Sequence, residues 1–238
     1  RFQAYIPRWM KRHNTPWQPL VAGAVACNEE GAPRSVHFED VYYSRDNGLE
    51  ESEFVFLQGN QLPARWQNWQ RKRFCIAETG FGTGLNFLLT WQAWRAAKRP
   101  PDLHYVSIEK YPLTAQDLAR ALAAWPELSS LTGQLLAQYP GLAPGQHRLL
   151  LDQGKVTLDL WWEDARDALP DLASHRRPFV DAWYLDGFAP ARNETMWQEA
   201  LFSHAAATSH PQASFATFTA AGHVRRGLTG AGFKVSKV

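Results

Sequence analysis

The hydrophobic positions of this chain alternate between short runs that predict strands and helically spaced groups that predict helices, from residue 73 onward. Runs bounded by turn residues predict strands at 73–79, Leu103–Ile108, Lys155–Trp162, Phe179–Leu185, Ala213–Phe218 and Phe233–Val238. Apolar positions three and four residues apart predict helices at Leu85–Lys98, Thr114–Ala124, Pro126–Gln138, Glu194–Thr208 and Val224–Gly230. Strands and helices in regular alternation predict an α/β fold with a doubly wound sheet.

Local signals define several boundaries within this pattern. Pro100-Pro101 ends the first helix, and Thr114 is a candidate N-cap of the second. His147–Leu151 and Lys155–Trp162 flank the turn residues Asp152-Gln153-Gly154, so we expect a hairpin to deliver the third strand.

The first 72 residues follow a different pattern. Residues 1–32 contain several prolines and no acidic residue before Glu29, which predicts an irregular N-terminal arm. Residues 33–72 predict a small β-rich lead-in, with strands at Ser35–Tyr43 and Phe54–Leu62 on either side of a turn at Ser44–Gly48. The main domain is then expected to span residues 73–238.

Composition limits the class of protein but does not identify a binding partner. The 238 residues are 45% hydrophobic, enough for a full core, and the formal charge of +2 neither requires nor excludes a nucleic acid. Cys27 and Cys75 have no metal-ligand spacing, so we expect no metal and a reducing, cytoplasmic setting. No apolar run reaches the length of a membrane span, and Val21–Cys27 is too short for a secretory leader.

Three glycines at alternate positions join the first predicted strand to its helix. Gly80, Gly82 and Gly84 let the backbone turn sharply and approach a ligand closely. The dinucleotide fingerprint requires a glycine where this chain has Leu85, which disfavours an NAD oxidoreductase. With Glu78 two positions before the first glycine, the stretch resembles the first motif of class I S-adenosylmethionine (SAM) methyltransferases.

Acidic residues follow the next predicted strands in order. Parallel strands present their carboxyl ends at one edge, so Glu109, Asp164 and Asp186 are expected to lie together there. Glu109 is expected to bind the ribose hydroxyls. Asp164 is expected to bind the adenine amino group and to cap the helix that begins at Ala165. Asp186-Gly187-Phe188-Ala189-Pro190 is a variant of the D/N-P-P-Y/F motif with which N-methyltransferases hold their acceptor.

Further stretches resemble one family, the methyltransferase domain of the bifunctional tRNA 5-methylaminomethyl-2-thiouridine biosynthesis proteins (MnmC family). The resemblance covers about residue 33 to the end, and it is carried by Asp40–Ser44, Asn47–Glu51, Glu78–Phe87, Glu109–Thr114, Leu149–Trp161, Asp181–Pro190 and Ala216–Leu228. It implies methyl transfer from SAM to the exocyclic amine of 5-aminomethyl-2-thiouridine in the tRNA anticodon loop.

The same resemblance implies what the remainder of the protein contains. Members of the family have a second, FAD-dependent oxidase domain, which is absent from these residues. A class I sheet closes with strands 6 and 7, whereas this chain stops within the expected strand 6. We therefore expect a truncated C-terminal strand and a native product that continues into an FAD domain.

The resemblance also assigns the site residues. Asp186 is the expected catalytic residue. The expected substrate-binding residues are Gly187, Phe188, Pro190, Arg225 and Arg226. The expected cofactor-binding residues are Tyr42, Glu78, Gly80, Gly82, Gly84, Asn86, Glu109, Lys110, Asp164 and Ala165. Arg192 and Arg71–Arg73 are further candidates for phosphate contacts, or else part of a solvated charged face.

Two alternatives remain open at this point. The chain is alternatively a methyltransferase for another small-molecule or protein amine. It is alternatively a non-catalytic RNA-binding module that retains a relic SAM loop.

Overall fold

The structure is a computed structural model and describes residues 20–27, 32–43, 47–175 and 177–236. Within them, a six-stranded sheet with helices on both faces lies beside a small three-stranded sheet built from the N-terminal part.

The small sheet is antiparallel. Its strands are β1 (Val25–Cys27), β2 (Pro33–Ser35) and β3 (Asp40–Val41), in that spatial order. The prediction of an irregular arm over residues 1–32 is therefore wrong at β1, because Val25–Cys27 obtains a ladder partner in β2 that the local sequence does not reveal. The rest of that arm, residues 1–19 and 28–31, lies outside the described residues, as do residues 44–46 of the predicted turn.

The second half of the lead-in is helical. Gly48–Ser52 forms an α-helix, Glu53–Gln58 continues it as a π-helix, and Ala64–Gln67 forms another short helix. The predicted strand at Phe54–Leu62 is therefore wrong. Its apolar run was compatible with either period, but the residues that become buried are Phe56, Leu57 and Asn60, which share one face of a helix.

The large sheet confirms the predicted α/β architecture. Its strands are β4 (Arg73–Thr79), β5 (Asp102–Glu109), β6 (Gly145–Leu151), β7 (Val156–Trp162), β8 (Val180–Tyr184) and β9 (Ser209–Ala216). The order across the sheet is β6-β7-β5-β4-β8-β9. All neighbours are parallel except β6, which pairs with β7 as the predicted antiparallel hairpin.

The helices lie close to their predicted positions. The α-helices after β4 span Leu85–Ala96, Ala115–Leu122, Ser129–Leu136, Ala165–His175, Glu199–Thr208 and Gly222–Gly230. Short 3₁₀ turns at Pro126–Leu128 and Glu194–Trp197 occupy the starts of two predicted helices. The predicted cap is confirmed, since the Thr114 hydroxyl accepts a hydrogen bond from the Asp117 N–H at 3.1 Å.

The predicted final strand, Phe233–Val238, does not form in the residues described there. Residues 233–236 have neither helical nor strand structure, and residues 237–238 lie outside the described part. A strand requires a ladder partner, and 233–236 pair with no described strand. Instead, Phe233 packs edge-on against Phe215, and Val235 packs against the core.

Strand β4 is the pivot of the sheet. Its residues alternate between two cores, with Phe74 and Ile76 in one and Cys75 and Ala77 in the other. The chain moves outward on one side through β5 and β7, then crosses to the other side with β8. The loops after β4 and β8 therefore diverge at a topological switch point, the usual position of a ligand crevice in such sheets.

Candidate active site

A cavity of about 370 Å³ opens at the carboxyl ends of the parallel strands. Loops after five strands of the large sheet contribute to it, those after β4, β5, β7, β8 and β9, as do residues 41–43 and 48–52. The β2–β3 turn, residues 36–39, also reaches it. The lining side chains that enter the argument below are Phe38, Tyr42, Asn86, Glu109, Lys110, Tyr111, Asp164, Asp186, Phe188 and Arg192.

The glycine turn after β4 forms the floor of this cavity. Gly80, Gly82 and Gly84 have φ values of +94°, +52° and +72°, a region that favours glycine. A Cβ on Gly82 would lie 3.1 Å from the Tyr42 ring, so glycine at this position lets that ring pack closely against the turn. Gly84 is the N-cap of the helix Leu85–Ala96, where a Cβ would lie 2.7 Å from the Phe81 ring.

Glu109, at the end of β5, holds this turn in place by hydrogen bonds. Its carboxylate accepts hydrogen bonds from the Gly82 N–H at 2.9 Å and from the Tyr111 N–H at 2.8 Å. Burial raises the pKa of Glu109. The backbone hydrogen bonds lower it, but the net effect is an increase. Each carboxylate oxygen keeps a further lone pair that can accept a bond from a ligand hydroxyl.

Asp164 at the end of β7 is held as an anion. Its Oδ1 accepts a hydrogen bond from the Arg166 N–H at 2.9 Å, as expected of a helix cap, and its Oδ2 lies 3.0 Å from Lys110 Nζ. Burial would raise the pKa of Asp164, but the hydrogen bonds from Arg166 and Lys110 outweigh it and hold the pKa well below the usual range.

Asp186, after β8, stands at the centre of a hydrogen-bonded group. Its Oδ1 accepts from the Gly187 N–H and its Oδ2 from Asn86 Nδ2, both at 2.7 Å. The Thr79 hydroxyl donates to the Asp186 carbonyl at 2.7 Å, which ties this loop to the end of β4. Burial raises the pKa of Asp186 to about 6, even though the hydrogen bonds from Gly187 and Asn86 lower it.

A second carboxyl group lies behind Asn86. Asn86 Nδ2 also donates to Glu78 Oε1 at 3.0 Å, and the Ser107 hydroxyl donates to Glu78 Oε2 at 2.7 Å. Burial, together with the nearby charge of Asp186, raises the pKa of Glu78 to about 8. Glu78 is therefore largely protonated at neutral pH, so the two neighbouring acids carry about one negative charge.

Comparison with known proteins agrees with this geometry. A family model described as S-adenosyl-L-methionine-dependent methyltransferase matches residues 126–238. Curated proteins named tRNA 5-methylaminomethyl-2-thiouridine biosynthesis bifunctional protein MnmC match nearly the whole chain. The protein from Aliivibrio fischeri is 48% identical over 96% of this chain, and that from Methylobacillus flagellatus is 58% identical over 88%. The chain corresponds to the methyltransferase part of MnmC.

The chain spans only about a third of those relatives, 34% and 32% of their respective lengths. A solved structure, the crystal structure of MnmC2 from Aquifex aeolicus, covers 90% of this chain with a TM-score of 0.64 at 19% identity, and 65% of that protein is matched. At this identity the likeness concerns the fold, which is the class I methyltransferase fold predicted from the sequence.

Most of the site residues expected from the MnmC resemblance are brought together. Those that line the cavity are Tyr42, Gly80, Gly82, Asn86, Glu109, Lys110, Asp164, Ala165, Asp186, Gly187 and Phe188. Glu78, Gly84 and Pro190 do not line it. Glu78 lies behind Asn86, Gly84 caps a helix, and Pro190 lies further along the loop that follows β8.

Two expected substrate-binding residues lie elsewhere. Arg225 and Arg226 are exposed on the helix Gly222–Gly230, beside a separate depression that they share with Thr229 and Val235. The structure does not bring them to the cavity. Their role as phosphate contacts stays a prediction that concerns the outer surface.

Sequence reasoning missed the part that the β2–β3 turn plays in lining this cavity. Phe38 lines the cavity and stacks on Phe188, with ring centroids 4.5 Å apart, and meets Tyr111 edge-on at 5.7 Å. Sequence reasoning also missed Ser107, the second partner of Glu78. Phe38 had no signal, because it precedes the matched motifs and reaches the site only through the hairpin. Ser107 lies in the predicted strand two residues before Glu109, and this alternate position was a signal that could have identified it.

The cavity is electrostatically negative. Six acidic side chains line it against two basic ones, Lys110 and Arg192. The acids are Glu51, Glu109, Glu163, Asp164, Asp186 and Glu194. Such a lining favours cationic ligands. Among the described residues, no group of three or more His, Cys, Asp or Glu side chains is arranged to hold a metal ion. Nor does any helix in those ranges have the length and apolarity to cross a membrane.

Proposed function

We propose that this chain transfers a methyl group from SAM to the exocyclic amine of 5-aminomethyl-2-thiouridine at the tRNA wobble position, giving 5-methylaminomethyl-2-thiouridine. The observation that carries the proposal is the position of Asp186. Asp186 lies in the loop from which related enzymes act on their acceptor. It lines the same cavity as the glycine turn, Glu109 and Asp164.

The residues present fit SAM. The backbone of the glycine turn lines the cavity at Gly80 and Gly82, and Glu109 and Asp164 offer ionisable acceptors for a diol and an amino group. The acidic lining suits a sulfonium and an amine, both of which carry positive charge. When bound, SAM supplies an electrophilic methyl group.

Asp186 has the position and charge to orient the acceptor. A primary alkylamine resembles lysine, whose pKa is about 10.4, so at neutral pH it arrives mostly protonated and without a lone pair to attack. With a pKa of about 6, Asp186 is ionised at pH 7 and can accept an N–H of the amine. The pKa of Asp186 lies far below that of the amine. We therefore assign Asp186 mainly to orienting the nucleophile, and to proton transfer only as a secondary role.

The first test is methyl transfer from labelled SAM to tRNA with and without the aminomethyl group at the wobble uridine. We expect transfer only to the aminomethylated tRNA, and Asp186→Ala or Asp186→Asn should lower kcat by about 100-fold or more. The affinity for SAM, measured by calorimetry, should change by less than about twofold. Asp102→Asn, the matched control at the opposite end of the sheet, should leave both quantities unchanged, because among the described residues Asp102 pairs with the exposed Lys72 at 3.8 Å, far from the cavity.

The outcomes separate the alternatives. Transfer to tRNA that lacks the aminomethyl group would refute the proposed specificity, and transfer only to free or protein amines would favour the small-molecule reading. A folded protein that binds no SAM would favour a relic loop. An equal loss of SAM affinity in Asp186→Ala would reassign Asp186 to the cofactor.

We further propose that the native protein acts in the cytoplasm and carries a fused FAD-dependent domain. The support for the fusion is that the relatives are named bifunctional and that this chain spans about a third of their length. Arg192 at the cavity, and Arg225 and Arg226 outside it, are then proposed to contact tRNA phosphates.

A further inference from the structure

The cavity is closed on one side by an element outside the main sheet. The β2–β3 turn, residues 36–39, places Phe38 in the cavity wall, between the loop after β5 and the loop after β8. At about 370 Å³ the enclosed space is near the lower end for small-molecule sites, which run from about 300 to 1,000 Å³.

The aromatic contact between Phe38 and Phe188 is the part of the cavity wall that must open to admit the base. The two rings stack with centroids 4.5 Å apart and planes inclined by 26°. Phe188 follows Asp186 by two residues, so a ring held against Phe188 lies next to the proposed catalytic carboxylate. Tyr42 adds an edge-on contact to Phe188 at 5.2 Å, which fixes that ring from the cavity side.

The turn is held closed by contacts that are individually weak. The Ala189 N–H donates to Asp40 Oδ2 at 3.1 Å, and Arg192 approaches Glu39 at 3.5 Å with both side chains more than half exposed. Exposed ion pairs of this kind contribute little to stability.

The base of the hairpin is anchored by the Tyr42 N–H donating to the Pro33 carbonyl and the Val36 N–H donating to the Ala24 carbonyl, both at 2.9 Å, and His37 stacks on Tyr111. No described backbone hydrogen bond joins Phe38 to the loop after β8, so the partly exposed Phe38 ring can swing outward about its own side-chain bonds while the hairpin stays in place.

We propose that Phe38 and Phe188 form a clamp that holds the pyrimidine ring of the substrate nucleoside between their faces. This inference rests on the proposed function and names the residue that recognises the base. A base between two rings requires them to separate to about twice the carbon–carbon contact distance of about 3.5–4.0 Å, so the Phe38 ring moves outward by a few ångströms on binding. Stacking between aromatic side chains is the usual way in which proteins hold an unstacked base.

The test measures how strongly an anticodon stem-loop binds, with the aminomethylated base present or with an abasic wobble position. In the wild-type chain, loss of the base should weaken binding by about tenfold or more. In Phe38→Leu, which keeps apolar bulk but loses the aromatic face, the ratio of the two affinities should fall by about fivefold or more, leaving the part that Asp186 and Phe188 contribute. Phe38→Tyr should restore the discrimination.

Two further readouts keep the interpretation specific. The KM for tRNA should rise about tenfold in Phe38→Leu, while the SAM dissociation constant changes by less than about twofold. Val36→Ala is the matched control, because Val36 lies in the same turn, is exposed and does not line the cavity. It should behave as wild type. Thermal melting of each variant checks that the fold is retained.

Three results would overturn the clamp. If Phe38→Leu discriminates the two stem-loops as strongly as the wild-type chain does, the base is not held at this site. A parallel loss of SAM affinity would assign Phe38 to the cofactor. An equal loss of affinity for both stem-loops would assign the turn to the RNA backbone. If the wild-type chain binds SAM but methylates no tRNA, the proposed function fails, whatever the Phe38 variants do.

Discussion

At the scale of single residues, the most informative group is the bridging amide of Asn86. One NH₂ group donates to two carboxyl groups, Glu78 at 3.0 Å and Asp186 at 2.7 Å, and the side chain is only 7% exposed. Burial raises the pKa of both acids, to about 8 for Glu78 and about 6 for Asp186. Asn86 thus lets Asp186 remain ionised beside a protonated neighbour, which makes it a positioning residue for the proposed catalytic acid.

We predict that Asn86→Leu changes the pH dependence of turnover as well as its size. Removing a hydrogen bond from the charged form of Asp186 raises its pKa, by about one pH unit if the bond contributes about 1.5 kcal/mol. Asp186 acts as the anion, so activity is lost as the pH falls through its pKa. The ratio of variant to wild-type kcat, at saturating SAM, should therefore fall between pH 8 and pH 6.

Ser107→Ala serves as the control for Asn86→Leu. Ser107 contacts Glu78 Oε2 and not Asp186, so its loss should leave the ratio to wild type nearly flat over the same range. Taking the ratio of variant to wild-type kcat cancels the effect of the ionisation of the substrate amine, because that effect is common to all variants. A flat ratio for Asn86→Leu would contradict the positioning role.

At the scale of elements, the turn after β4 depends on backbone conformation more than on side chains. Gly80, Gly82 and Gly84 all have positive φ, and the Gly82 N–H is fastened to Glu109 at the end of the neighbouring strand. The alternate spacing of the glycines predicted this turn. The spacing could not assign their separate tasks: Gly80 and Gly82 line the cavity, and Gly84 caps the helix.

We predict opposite effects of Gly84→Ala and Gly133→Ala on stability. Alanine at position 84 must adopt a left-handed conformation and would meet the buried Phe81 ring at 2.7 Å, so the free energy of unfolding should fall by about 2 kcal/mol. Gly133 lies within the helix Ser129–Leu136, where an added Cβ meets nothing within 4 Å. Alanine there should raise the free energy of unfolding by about 0.5–1 kcal/mol.

Urea unfolding of both variants, followed by circular dichroism, measures these changes. A Gly84→Ala variant as stable as wild type would mean that the turn adapts, and that its third glycine is not required by conformation.

At the scale of the whole molecule, the cavity couples parts of the chain that are remote in sequence. Loops after five strands of the large sheet and the β2–β3 turn all contribute to it, so a ligand in the cavity contacts both the main sheet and the N-terminal hairpin. A ligand that binds only the folded state stabilises that state in proportion to its affinity.

We predict that SAM, at 100 times its dissociation constant, raises the free energy of unfolding by about 2.7 kcal/mol. For a chain of this size that corresponds to an increase in Tm of about 5–10 °C, measurable by scanning calorimetry. Glu109→Ala should lose most of this increase at the same SAM concentration, whereas Asp186→Asn should retain it. If SAM raises the Tm of Glu109→Ala as much as that of the wild type, Glu109 is not part of the proposed cofactor site.

The sequence by itself determined the α/β alternation, the glycine turn and the acids at successive strand ends. These follow from local rules, because a strand, a turn and a helix each impose their own spacing on the residues that form them. Tertiary structure decided the remainder. Phe54–Leu62 became helical because Phe56, Leu57 and Asn60 find buried neighbours on one side, and Phe233–Val235 stayed outside the sheet.

Tertiary structure alone also separated Arg225 and Arg226 from the cavity, brought Phe38 into it and linked Glu78 to Asp186 through one amide. Each of these depends on contacts between residues far apart in the chain, which no local spacing encodes. The sequence therefore predicts which chemistry is available at the strand ends. The folded chain decides which of those groups meet, and in which protonation state.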